Sequence, residues 1–183
     1  MSVGLVQPAR AIDVRHYEKV SPADKGQGDI IGDGGTNIAS RAGDAITLSA
    51  RTPFGDTIGS GVSGQTQYVV RRTPDGWVAH AITPQPRADA YQTFFGSTRF
   101  EAYSDDLRTG VVWGYDFPAA TGDLPLRNNI YVEDLASRTL RPVTMLQNGL
   151  PDPLPHPIAE LGSDANWGVS ADARHVAFVS SAQ

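Results

Sequence analysis

Polar and apolar positions along the chain fall into short blocks, and three of these blocks are copies of one another. Ser170-Ala171-Asp172-Ala173-Arg174-His175-Val176-Ala177-Phe178 aligns with Ser104-Asp105-Asp106-Leu107-Arg108-Thr109-Gly110-Val111-Val112 and with Ser40-Arg41-Ala42-Gly43-Asp44-Ala45-Ile46-Thr47-Leu48, the serines standing 64 and 66 residues apart. Each copy is a polar turn that runs into an apolar stretch without helical spacing, which predicts a β-hairpin. Self-similarity at a long, nearly fixed period predicts a modular array.

The first unit predicts strands over 45–50, 67–72 and 77–83, the last two joined by Thr73-Pro74-Asp75-Gly76. Asp-Gly between two apolar runs is a strong hairpin signal, because glycine accepts the positive φ of the turn. The second unit predicts strands over 99–104, 110–115, 129–135 and 140–146, so the plan is four strands per repeat. A third unit begins with strands over 166–169 and 176–180 and is incomplete. The chain therefore divides into a lead-in segment (1–36), two repeats (37–97 and 98–165) and the start of a third (166–183), all in one domain. Val111-Val112-Trp113 and Val176-Ala177-Phe178-Val179 are apolar on both faces, as strands sandwiched between neighbouring sheets are. The fold class expected is all-β: an open arc of about two and a half four-stranded antiparallel blades of a β-propeller.

Composition agrees with short strands and loops, since 19 glycines and 13 prolines leave little room for long helices. The net charge of -5 comes from scattered residues with no basic stripe, which argues against nucleic acid as a partner. The absence of cysteine removes disulfides, thiolate catalysis and Cys-ligated zinc. No apolar run reaches membrane-spanning length, and residues 1–8 lack the features of a signal peptide.

Chemistry-bearing motifs are sparse. Gly32-Asp33-Gly34-Gly35-Thr36 lacks the Lys-Ser/Thr pair and helix start of a phosphate loop and reads as a turn. Gly61-Val62-Ser63-Gly64-Gln65 misses the second glycine of a nucleophile elbow. Asp105-Asp106 and Glu133-Asp134 are adjacent carboxylates, which point to opposite faces of a strand or into water on a turn. Four histidines (His16, His80, His156 and His175) show no metal-pair spacing, and Asp29, Asp33, Asp56, Asp123 and Asp164 do not form a calcium-loop pattern. No metal or cofactor is expected.

The links within hairpins are short, whereas 51–66, 116–128, 84–96 and 147–165 are long. In an up-and-down sheet those long links emerge on one side. They carry Arg51, Phe54, Asp56, Arg87, Phe94, Phe117 and His156, and aromatic and arginine side chains are favoured at binding surfaces. The bland alternative is that Phe94 and Phe95 simply anchor their loop on the sheet edge.

Ser170 to Ser180, followed by the Ile130-Tyr131-Val132-Glu133-Asp134-Leu135 type of strand and Arg141-Pro142-Val143-Thr144, resembles the TolB-type, WD-like β-propeller repeat of bacteria. Tyr17-Glu18-Lys19-Val20-Ser21-Pro22-Ala23-Asp24-Lys25-Gly26 looks like the opening of uncharacterised actinobacterial-type proteins built from this repeat. The resemblance implies a non-catalytic binding or scaffold module that presents its long loops to a protein, peptide or glycan, with a secreted or cell-envelope setting favoured. Two alternatives stay open: a gating propeller of a larger hydrolase, and a structural module of a cell-surface protein. Two units and part of a third cannot close a ring, so the reading expects a front portion of a longer propeller whose open blade edges self-associate. Ala42-Gly43 departs from the aspartate-led turn of the other two copies and marks the first unit as degenerate.

Overall fold

A computed structural model describes residues 17–26, 28–31, 37–57, 65–84, 99–115, 128–143 and 168–177. Among the described residues every regular element is a strand. The first sheet is an antiparallel meander of β1 (Ile30–Ile31), β2 (Ala45–Ala50), β3 (Thr66–Thr73) and β4 (Gly76–Ala81). The second repeats that order with β5 (Arg99–Tyr103), β6 (Thr109–Tyr115), β7 (Asn128–Asp134) and β8 (Thr139–Pro142). β9 (Gly168–Val169) and β10 (Val176–Ala177) pair as a separate two-stranded antiparallel sheet.

The first sheet takes its opening strand from Ile30–Ile31, ahead of Asn37, and adds a single bridge from Ala39 to Ile46. That bridge makes the three copies superimpose in register. The residue before each serine pairs with the residue six after it: Ala39 with Ile46, Tyr103 with Gly110 and Val169 with Val176. A second equivalence follows from pairing. Leu48 faces Tyr68 and Tyr68 faces Ala81, just as Val112 faces Tyr131 and Tyr131 faces Pro142.

The core is built by alternation of side chains across the sheets, interrupted in β5 by a register shift between Phe100 and Ala102. Ala45, Val69 and Ile82 leave one face of the first sheet and meet Phe100, Val112, Tyr131 and Leu140 of the second. Leu48, Tyr68, Val70 and Ala81 leave the opposite face and form a separate cluster with Phe54. Tyr68 and Tyr131 are equivalent, so the second sheet turns its Tyr face toward the first, while the first turns its Tyr face away. The two sheets are therefore stacked head to tail in one sense. Val111 and Val112 are both fully buried, one on each face of β6, as a strand enclosed on two sides requires.

Polar side chains also join the sheets. Arg71 donates through Nη2 to the Leu107 carbonyl at 2.6 Å. Arg138, in the β7–β8 turn, donates to the carbonyls of Ala81 and Ile82. Gly110 leaves room for the Phe100 ring of β5 against β6: a Cβ built there would fall 2.5 Å from that ring.

Candidate functional site

The three copied turns share one set of hydrogen bonds. Ser104 Oγ donates to Asp106 Oδ1 at 2.6 Å and accepts from the Thr109 N–H at 3.0 Å, while the Arg108 N–H donates to Asp106 Oδ1 at 3.0 Å. Ser170 Oγ does the same toward Asp172 at 2.7 Å, accepting from His175 N–H at 3.0 Å. In the first copy Ser40 Oγ donates to Asp44 Oδ1 at 2.7 Å and accepts from Ala45 N–H at 3.0 Å. The carboxylate comes from two residues later in the chain. The first turn is thus rebuilt, not lost, despite its Ala42-Gly43.

All three turns need a left-handed residue at the same place. Leu107 and Ala173 hold it at φ 53°, and Gly43 holds it at φ 73°, a region that glycine enters without the strain a Cβ brings. Leu107 keeps its place because its side chain is buried in the core between the sheets.

The turns are also tied to one another. Arg41 N–H donates to the Asp105 carbonyl and Asp105 N–H donates to the Ala171 carbonyl, both at 2.8 Å. Each bond joins the residue after one copied serine to the residue after the next, so the row advances by one repeat per bond. Asp44, Asp106 and Asp172 are held below the usual carboxylate range, chiefly by the serine hydroxyl that each accepts from. Asp134 is lowered in the same way by the Ser137 N–H. These carboxylates are ionised turn fasteners.

Asp134 is the terminal partner of both β6 and β8, so the β5–β6 and β7–β8 turns leave the second sheet at one end and the β6–β7 link leaves at the other. At the short-turn end, a cleft of about 970 Å³ lies between the outer face of the second sheet and the third turn. Asp106, Arg108, Asp134, Arg141, Asp172 and Arg174 give it a mixed polar lining. Its Arg108–Asp106 and Arg174–Asp172 pairs, each at 3.8 Å and exposed, are weak surface contacts. Among the described residues no three His, Asp or Glu side chains converge as a metal site.

Of the residues expected on the long links, Arg87, Phe94, Phe117 and His156 lie outside the described residues. Phe54 is only 8% exposed, its ring stacked on Tyr68 at 4.0 Å between centroids. The Tyr68 hydroxyl accepts from Phe54 N–H at 2.7 Å and donates to the Phe54 carbonyl at 3.0 Å. Phe54 anchors its link. Arg51 and Asp56, on either side of it, are exposed. Asp56 accepts the Ala81 N–H at 2.8 Å and lies 3.0 Å from His80 Nδ1. Partial burial pushes the Asp56 carboxyl up, and the Ala81 and His80 contacts outweigh it, so the group ends below its ordinary value.

Gln67, Tyr68 and Arg138 do more in the structure than sequence reading assigned them. The available signal was the recurrence of a tyrosine 28 residues after Ser40 and 27 after Ser104, with a similar apolar strand around it. Compared with family models, with curated proteins and with solved structures, the chain matches none of them.

Proposed function

We propose that the chain is a non-catalytic, propeller-type binding or scaffold module of the TolB-like kind, engaging a protein, peptide or glycan through the end from which its long links leave. The propeller reading is supported by the two equivalent four-stranded meanders stacked in one sense and by the row Arg41–Asp105–Ala171. The observation that carries the binding reading is the bolted base of the link after β2. Phe54 and Tyr68 fix the backbone three residues beyond the exposed Arg51, which lowers the conformational entropy that binding at this link would cost. The carboxylates Asp44, Asp106, Asp134 and Asp172 are engaged in turns, which supports a recognition role over acid–base chemistry.

Peptide and glycan arrays probed with the labelled chain test this. For any hit, replacing Arg51, Arg87, Phe117 and His156 together by alanine is expected to weaken binding by about tenfold or more, the scale of one lost anchor. Phe54 is left intact to preserve the core. A second reading places the ligand in the polar cleft at the short-turn end, favoured by its concavity. Loss of binding in an Arg108→Ala/Arg174→Ala variant, with the quadruple variant unaffected, selects that cleft and overturns the long-link assignment.

A further inference from the structure

We propose that Asp56 and Arg138 act together as a guard on the outer edge of the first sheet, blocking strand addition by a second copy of this chain. Among the described residues β4 is the last strand of that sheet. The Ile82 N–H donates to the Gln67 carbonyl at 2.8 Å, which marks Gln67 and Ile82 as a hydrogen-bonded pair. Antiparallel ladders alternate, so Val69–His80 and Arg71–Val78 are also bonded pairs, and Ala81, Ala79 and Trp77 turn their amide groups outward. Outward groups on an edge are a template for another strand.

At Ala81 both outward groups are occupied. Its N–H donates to Asp56 Oδ1 at 2.8 Å, and its carbonyl accepts from Arg138 Nη1. Neither guard belongs to a strand of this sheet: Asp56 comes from the link after β2, and Arg138 from the β7–β8 turn of the neighbouring sheet. Each is held from behind. His80 Nδ1 lies 3.0 Å from Asp56 Oδ2, while Arg138 also donates to the Ile82 carbonyl at 2.9 Å and to Glu133 Oε1 at 2.5 Å.

The second sheet closes the same rung by other means. Pro142 stands opposite Tyr131 where Ala81 stands opposite Tyr68, and proline has no N–H to offer. Two unrelated chemistries at equivalent rungs point to a requirement that this rung be shut. A second copy is the fitting intruder, because antiparallel pairing of two β4 edges about Ala79 sets Trp77 opposite Ala81 and is self-complementary. A guard at Ala81 then blocks both ends of the new ladder. Val78, at 42% exposure, lies in the middle of the same edge.

The test uses the full chain, reading amide hydrogen exchange at Ala81 and sedimentation over a concentration series. Asp56→Ala is expected to speed Ala81 exchange about tenfold, the scale of one lost hydrogen bond, and to produce concentration-dependent self-association beyond that of wild type. Asp56→Asn, which keeps the acceptor oxygen, is expected to hold the amide. Adding Ala81→Pro to Asp56→Ala copies the second sheet and is expected to restore wild-type sedimentation, because proline removes the outward N–H that a second edge would use. Wild-type exchange and sedimentation in Asp56→Ala, or self-association that survives Ala81→Pro, overturns the proposal.

Discussion

Gln67 and Phe100 are paired across the gap between the two sheets as though one side chain were a strand. The Phe100 N–H donates to Gln67 Oε1 at 2.7 Å, and Gln67 Nε2 donates back to the Phe100 carbonyl at 3.3 Å. Gln67 is buried, and its own backbone N–H is satisfied by Thr83 Oγ1 at 2.7 Å. A carboxamide is the side-chain group that offers a donor and an acceptor in the spacing of a peptide. Gln67→Leu keeps the volume and removes both bonds, leaving two backbone groups of Phe100 buried and unpaired. We expect a loss of about 2–3 kcal/mol in urea unfolding, and an unchanged midpoint would show that the bonds contribute nothing.

Gly110 and Phe100 are matched in shape. A methyl group at residue 110 would sit 2.5 Å from two atoms of the Phe100 ring, and that ring is buried in the core between the sheets. Gly110→Ala is expected to destabilise the chain by about 1–3 kcal/mol through overpacking. Combining it with Phe100→Leu removes the clash, so the two costs should add to less than their sum in a double-mutant cycle. Simple additivity in that cycle would locate the cost elsewhere.

The copied turns give an internal comparison. Ser104 is buried at 3% exposure and its hydroxyl serves Asp106 and the Thr109 N–H. Ser170 makes the same bonds in a turn that is more open to water. Ser104→Ala is expected to cost about 1–2 kcal/mol, the scale of losing part-buried hydrogen bonds to a charged and a backbone group. Ser170→Ala should cost less, since water can replace the bonds. Thermal melts of the two variants check the order, and equal costs would mean that burial does not set the value of the turn.

Much of the strand layout was legible because period-two alternation and turn chemistry are local properties. The run from Ala45 to Ala50 and the Asp75-Gly76 turn are readable from a few adjacent residues, and both lie where they were expected. The copied serines were legible as a repeat, but the Ser–Asp bond inside each was not, since Asp44 sits two positions later than Asp106 and Asp172 and still reaches its serine. Contacts between sheets were illegible. Gln67 reaches a residue 33 positions away and Arg138 one 56 positions away, and no local pattern encodes such a reach. Phe54 shows the same limit: an aromatic on a polar link reads as a binding residue until Tyr68 is seen beneath it.

The carboxylates set two opposing pH slopes. Asp44, Asp56, Asp106, Asp134 and Asp172 are all held below their ordinary value of 3.8. A group lowered on folding stabilises fully above its unfolded value, and that stability is lost as pH falls from 3.8 through the lowered values. Glu133 is opposite. Its side chain is 1% exposed between the sheets, and burial pushes its carboxyl above the ordinary 4.5 more strongly than Arg138 pulls it down. Between 4.5 and the raised value the folded chain holds a proton that the unfolded chain has released, so stability falls as pH rises through that window. Urea midpoints measured from about pH 3 to pH 7 are therefore expected to rise out of acid, pass a maximum and then decline. Glu133→Gln removes the declining limb and leaves the acid limb in place. If the variant retains the decline, the slope belongs to another group and Glu133 titrates normally.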